Sequence, residues 1–542
     1  MIRTLSAALL ACAALGLVAA PARACGGFFC QSMPMNQAGE KIVFAVESDG
    51  TVTVHVQILY SGAADQFAWI LPVPAVPTLS TGTDMLFQMI DPATAPSFQL
   101  DYATEGTCRM PPSCPSPYPP YDEMGGGWAD ASPARDAGTG GGVEVYFMDA
   151  VGPYDAAVLG SDDAAALRAW LTDNGYDLPA AALPLLDEYV AKHDLFVALK
   201  LQQERGVGEI QPIVLNFRER QPCIPIRLTA IATVPDMPIT AWVLGAQRAM
   251  PYNYMDVRPD LDQPELWLGG LSYASVVTEA VDAAGGRGFV TDYAGAVPLL
   301  TLPAPNIAGL RSETNARAFL NTLLSLGFSG DPQLLAILLR HLPPPTSADP
   351  RDFYNCVVQT WCGDYDSYLA SLAFDPAALV DDLDTTILAP RRDAQAMLDR
   401  HSRLTRLFTT MSADEMTEDP VFVMRDMPDV DRVHTARLIT ECSRAYFEYM
   451  APQRLVLPSG RAVRAREGVA YTGTDADYCG DVMDGTFGPG VDPATARDTA
   501  LMRSLAPRGG GGCAVVSDRP ELAGAFAFLL AAAALLRRRR RR

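Results

Sequence analysis

Two runs of β-branched and apolar residues, Lys41 to Glu47 and Thr51 to Tyr60, are separated only by Ser48-Asp49-Gly50. So short a link between strand-like runs is a hairpin signal, because Asp and Gly accept the backbone angles of a tight turn at low cost. The start of the folded chain is thereby committed to antiparallel sheet. Strand character continues at Gln66 to Leu71, is stopped by Pro72, Pro74 and Pro77, and returns at Val143 to Phe147. Between Thr104 and Gly142 the chain is dense in Pro, Gly, Asp and Ser, which predicts a long surface loop over 104–142.

The period then changes. Ser161 with Asp162 and Asp163 is an N-cap signal for a helix from Ala164 to Leu171, closed by Asn174-Gly175. A second helix is predicted from Leu183 to His193, with Pro184 tolerated in its first turn. Strands are expected at Leu195 to Gln202, Glu209 to Phe217, Ile224 to Val234 and Ile239 to Val243. Beyond Pro251 the chain becomes helix-richer: Arg311 to Leu326 and Pro332 to His341 have helical spacing, Asp352 to Leu372 holds Cys356 and Cys362, and helices are expected at Arg391 to Phe408 and Thr435 to Met450. The expectation is an α+β protein with a β-rich N-terminal half (25–250) carrying an inserted helical hairpin, a helix-richer C-terminal half (251–455) and a loop-rich segment (456–508).

The flanks read as targeting signals. Arg3, an apolar stretch from Leu5 to Ala20 and Ala22-Arg23-Ala24 have the layout of a secretory signal peptide over 1–24, cleaved after Ala24. At the other end, over 509–542, Gly509 to Gly512 and Cys513 precede an apolar run from Leu522 to Leu536 and six arginines from Arg537 to Arg542. Fifteen residues of helix span roughly 22 Å, short of the roughly 30 Å hydrocarbon core, so this short transmembrane helix crosses only with thinning or snorkelling. The arginines fix its orientation, with everything before Leu522 outside.

The chain carries 42 basic against 63 acidic residues, and without its two flanks the body holds about 28 net negative charges. Such a field repels phosphate backbones, which excludes nucleic acid as a partner. Apart from Cys12 and Cys513, nine cysteines remain, and three local pairs stand out as disulfide candidates: Cys25 with Cys30, Cys108 with Cys114, and Cys356 with Cys362. None has the C-x-x-C spacing of a zinc ribbon, and closely spaced pairs of this kind suit an oxidising compartment. Cys25 is not preceded by a lipobox, since Ala22-Arg23-Ala24 lacks its apolar residue.

Several segments resemble a known family. Cys25-Gly26-Gly27-Phe28-Phe29-Cys30, the hairpin Lys41 to Tyr60, Phe67 to Pro74, Val151-Gly152-Pro153-Tyr154 and Phe196 to Lys200 are similar to DUF2330, bacterial envelope proteins of unknown function. Leu404-Thr405-Arg406-Leu407, Glu415-Met416-Thr417 and Asp419 to Phe422 extend the resemblance, which implies an extracytoplasmic location and no known activity, cofactor or catalytic residue. The glycine tract, Cys513, short helix and arginine terminus resemble the MYXO-CTERM sorting tail. That resemblance implies signal peptidase and a myxosortase-like enzyme as processing partners, with cutting at Cys513 and display at the cell surface; the alternative is a plain tail anchor in the membrane.

Catalytic motifs are sparse. The five histidines His55, His193, His341, His401 and His434 form no close ligand pair of the H-E-x-x-H kind. Gly270-Leu271-Ser272-Tyr273-Ala274 is one residue away from a nucleophile elbow, a near-miss that chance supplies readily. A calcium candidate is the acidic loop of Asp475, Asp477 and Asp481 with Gly480, although it lacks a terminal Glu and Cys479 stands where an oxygen donor belongs. A solvated acidic loop pinned by Cys479 is the structural alternative. With no catalytic residue and no cofactor other than calcium assigned, the expected function is an exported, surface-anchored binding or structural module. The competing class is an extracellular hydrolase with a site scattered over both halves.

Overall fold

The computed structural model describes residues 36–61, 67–110, 112, 143–176, 178–202, 205, 209–218, 221–231, 233–359, 365–474 and 477. Its central element is an eight-stranded mixed sheet. In spatial order the strands are Met255–Val257, Gly288–Ala296, Arg403–Met411, Met237–Gly245, Asn36–Val46, Thr51–Ser61, Ile213–Arg218 and Thr78–Thr81. The hairpin read from Ser48-Asp49-Gly50 is present: Asp49 Oδ1 accepts from Thr51 N at 3.0 Å and from Thr51 Oγ1 at 2.7 Å, and Gly50 takes φ +83°. A residue with a Cβ would be strained there.

Alternation along the first strand distributes its side chains between two layers. Ile42 and Phe44 point into a sandwich, while Val43 and Ala45 face helices. The second half of the sandwich is an antiparallel sheet ordered Ala68–Val73, Leu195–Leu201, Tyr154–Gly160 and Glu144–Val151. Trp69, Leu71, Val158, Val197 and Leu199 fill the space between the sheets. The outer face, with Ile70, Leu159 and Phe196, is covered by the helical hairpin Ala164–Asp173 and Leu183–Ala191 through Leu167, Leu171 and Leu186. Burial on both faces explains why Ala68–Val73 is apolar throughout and continues through Pro72, the residue expected to stop it. Each large side chain so buried stabilises by about 1.5–3 kcal/mol relative to exposure.

On the far side of the large sheet, helices Asp84–Thr94 and Ala389–Arg400 pack Phe87, Ile90, Met397 and Leu398 against Trp242 and Leu404. Beneath the first of them a chain of charges is satisfied internally. Lys41 Nζ donates to Asp91 at 2.7 Å, Arg406 bonds to Asp91 and, at 3.0 Å, to Asp292, and Tyr273 O–H donates to Asp292 at 2.6 Å. A separate helical unit over 307–388 has its own core around Phe319, Phe328, Ile337, Phe353 and Leu379. The architecture is α+β, strand-rich in the N-terminal half and helix-rich in the C-terminal half. The large sheet nevertheless takes strands from both sides of residue 250.

Several local expectations are corrected. Thr435 to Met450 is not a helix: Val433–Cys442 is a strand that pairs in parallel with Ser97–Gly106 over ten residues. Arg391 to Phe408 is a helix only to Arg400 and then becomes the strand Arg403–Met411, because Leu404, Leu407 and Phe408 bury on the large sheet. Ile224 to Val234 holds a short helix, Ile226–Thr229, in place of a strand. The first helix of the hairpin is capped by Asp163, whose carboxylate accepts from Ala165 N at 2.8 Å, and not by Ser161. The expected loop over 104–142 begins in strand, up to Gly106; residues 111 and 113–142 lie outside the described residues, as do 1–35, including Ala24, and 478–542, including Cys513. Among the described residues no helix is long and apolar enough to cross a membrane.

The largest correction concerns Cys108. It is bonded to Cys442, 334 residues away with Cα atoms 4.6 Å apart, and not to Cys114. The parallel pairing places Gly106 beside Cys442, so the turn after Gly106 delivers Cys108 to it. A Cβ on Gly106 would lie 2.3 Å from Cys442 O, so only glycine allows this approach. Cys356 is disulfide-bonded; Cys362, Cys25, Cys30 and Cys114 lie outside the described residues.

Candidate functional site

A concavity lies where the sandwich meets the helical unit. One wall is Gly152-Pro153, the turn between Glu144–Val151 and Tyr154–Gly160, together with Arg205 and the segment Glu209 to Gln211. The other is supplied by helix Leu334–His341, the end of helix Pro376–Leu383 and a π-helical turn, Asp384–Leu388. They enclose about 150 Å³. A π turn inserts one extra residue into a helix and redirects the groups around it, and such turns recur at functional sites.

Gln211 joins the two walls. It is only 4% exposed, its backbone N–H donates to Tyr154 Oη at 2.9 Å, and Tyr154 O–H returns a bond to Gln211 O at 2.5 Å. Its side-chain Nε2 donates across the cleft to Thr386 O at 3.0 Å, in the π turn. Gly152 takes φ +56°, and a Cβ on it would lie 2.2 Å from Thr81 Cγ2 and 3.3 Å from Gln211 Oε1. Glycine at this position is therefore required twice, by backbone angle and by space.

The polar lining carries both signs of charge. Glu209 Oε2 accepts from Arg205 at 2.7 Å and from Arg340 at 2.8 Å. Arg340 also donates to Asp382 Oδ2 through Nε at 3.2 Å and a terminal nitrogen at 3.0 Å, and His341 Nε2 lies 2.9 Å from the same oxygen. Burial works against ionisation of Asp382, but hydrogen bonds from His341 and Thr386 and the charge of Arg340 hold its carboxyl below the usual range. Next to the cleft is a chamber of about 10 Å³, room for about one water, between Asp84 and Asp331. Burial raises the Asp84 carboxyl, partly countered by Gln57, which donates to it at 2.5 Å, and Asp331 repels it further. Behind this chamber Asp331 pairs with Arg391, 2% exposed.

The residues singled out from sequence are dispersed. Ser272 is the N-cap of helix Tyr273–Ala283, in ordinary extended backbone, where its Oγ accepts from Ser275 N at 3.1 Å and shares a hydrogen bond with Ser275 Oγ at 2.8 Å. That is a capping role, and Ser272→Ala should cost about 1 kcal/mol of stability in urea unfolding. His55 is buried in the large sheet, His193 is exposed beside Asp162, His401 Nδ1 lies 2.8 Å from Met397 O, and His434 stacks on Phe98. His341 touches the cleft indirectly, through Asp382. Asp477 accepts from Thr474 N at 2.7 Å and Thr474 Oγ1 at 2.6 Å, while Asp475 and Asp481 lie outside the described residues. Among the described residues no three His, Cys, Asp or Glu side chains are grouped to hold a metal. Sequence reading missed Arg205, Glu209, Gln211, Gln333 and Arg340. Its only signal here was Gly152-Pro153 within the family resemblance.

Comparison with protein families gives one match: the model described as an uncharacterized protein conserved in bacteria, DUF2330, covers residues 19–332. The match includes the hairpin, the smaller sandwich sheet, every strand of the large sheet except Arg403–Met411, and the Gly152 to Gln211 wall of the cleft, and ends just before Gln333. No curated protein matches, and no solved structure does.

Proposed function

This chain belongs to the DUF2330 family, and from that premise we propose that it is an exported envelope protein, displayed at the cell surface, that binds a small ligand between its sandwich and its helical unit. The observation that carries the binding reading is the cleft, a polar cavity of about 150 Å³ whose walls come from residues as distant as Gly152 and Thr386. Ligand sites occur preferentially at such junctions between separately packed units. Its ionisable groups engage one another through Arg205–Glu209, Arg340–Glu209 and Arg340–Asp382, an arrangement suited to holding a ligand. Export is supported by the Cys108–Cys442 disulfide, since such bonds persist in oxidising compartments, and by the signal-like residues 1–24. Surface display rests on the MYXO-CTERM-like tail and its processing at Cys513.

Mass spectrometry of the native protein, with membrane-impermeant labelling of intact cells, tests the location. The expected termini are Cys25 and Cys513, with surface amines labelled. A chain retaining Arg537 to Arg542 would refute the sorting tail in favour of a simple anchor, and a chain retaining residues 1–24 and unlabelled on intact cells would refute export.

A further inference from the structure

Resting on the binding reading, we propose that the cleft takes a small zwitterion of amino-acid size, its carboxylate held by Arg205 and its ammonium group by Asp382. The balance of fixed charges points to this class. Two guanidiniums, Arg205 and Arg340, and two carboxylates, Glu209 and Asp382, line the same cavity. A lone anion would be repelled by the carboxylates and a lone cation by the guanidiniums, whereas each end of a zwitterion meets an opposite charge.

Size narrows the class further. At about 150 Å³ the cavity is well below the roughly 300 Å³ at which pockets for larger ligands begin. The two arginines also differ in capacity. Arg340 is spent, with Nε and one terminal nitrogen on Asp382 and the other on Glu209. Among the described residues the Arg205 guanidinium gives one hydrogen bond, to Glu209, which leaves Nε and its second terminal nitrogen for a carboxylate. Arg340 is thus the strut that spans the cleft and Arg205 the group that captures. Gly152 keeps the opposite wall back, and Gln211 Oε1 offers a neutral acceptor beside it.

Calorimetry and thermal shift on the full-length protein test this with five probes: glycine and alanine as zwitterions, acetate and methylammonium as the separate halves, and glycerol as a neutral polyol. Glycine and alanine should bind with Kd in the millimolar range, and acetate and methylammonium at least about tenfold more weakly. Arg205→Gln should weaken glycine by about tenfold while lowering the ligand-free Tm only slightly, because Glu209 keeps Arg340, and Ala336→Leu, which fills the cavity, should abolish binding. Glycerol binding that is lost in Ala336→Leu, with no zwitterion bound, would refute the zwitterion and leave the cleft reading standing. No binding of any probe would count against both. Zwitterion binding indifferent to Arg205→Gln and Ala336→Leu would place the site elsewhere and overturn the proposal.

Discussion

Replacing Cys108 and Cys442 together by serine is expected to lower stability by about 2–5 kcal/mol, one of the two largest effects anticipated for this chain. The bond spans 334 residues of sequence, so in the unfolded chain it closes a very long loop and removes much of its conformational freedom. A bond from Cys108 to Cys114 would close a loop too short to constrain the whole chain and would contribute less. The native contacts around the bond would survive the substitution, because Ser97–Gly106 and Val433–Cys442 remain paired over ten residues and packed on Trp267 and Leu455. Urea unfolding of the oxidised protein and the double variant decides the matter. An unchanged midpoint would mean that the strand pairing holds these segments together even in the denatured ensemble and that the bond adds nothing.

The second large effect appears only when pH is varied. Glu40 and His55 are each 4% exposed, and each has a polar atom without a partner, Glu40 Oε2 and His55 Nδ1. Burial pushes Glu40 up to about 7 from 4.5 and His55 down to about 4 from 6.5. For Glu40 the folded state keeps its proton after the unfolded chain has lost it, so its contribution is full below pH 4.5 and is lost as pH rises to about 7. For His55 the unfolded chain takes up a proton that the folded state refuses, so its contribution is full above pH 6.5 and is lost as pH falls to about 4. Each swing is worth about 3 kcal/mol, and between pH 4.5 and 6.5 the two slopes oppose each other.

Single variants should therefore expose what the wild type conceals. Relative to wild type, Glu40→Gln should become more stable with rising pH across this window, and His55→Gln less stable. Urea midpoints measured between about pH 4.5 and 7 read both differences. Parallel curves for wild type and both variants would show that water or local opening reaches these groups and that neither is held out of its ordinary protonation state.

How much of this was legible in the sequence depends on the range over which each feature is encoded. The hairpin at Ser48-Asp49-Gly50, the paired helices at 164–173 and 183–191 and the helices at 316–325 and 334–341 are local, and period, capping residues and turn chemistry sufficed to find them. So did the α+β class, because strand-like and helical spacing divide between the two halves of the chain. Thr435 to Met450 failed because a short stretch of mixed apolar and polar residues is ambiguous until a partner strand is known, and its partner, Ser97–Gly106, lies more than three hundred residues earlier.

The disulfide and the cleft failed for the same reason. Cysteine spacing favours near neighbours, but only the parallel pairing of two distant strands brings Cys108 to Cys442. Arg205, Glu209, Arg340 and Asp382 carry no mutual spacing that a motif could capture. What joins them is the docking of an independently packed helical core against one end of a sandwich, with Gln211 bridging to a π turn. Local backbone and burial preferences were therefore determined by sequence alone, because they act over a few residues. Which charges face one another was decided only by the tertiary structure, because Coulomb and hydrogen-bond partners are selected by distance in space and not by distance along the chain.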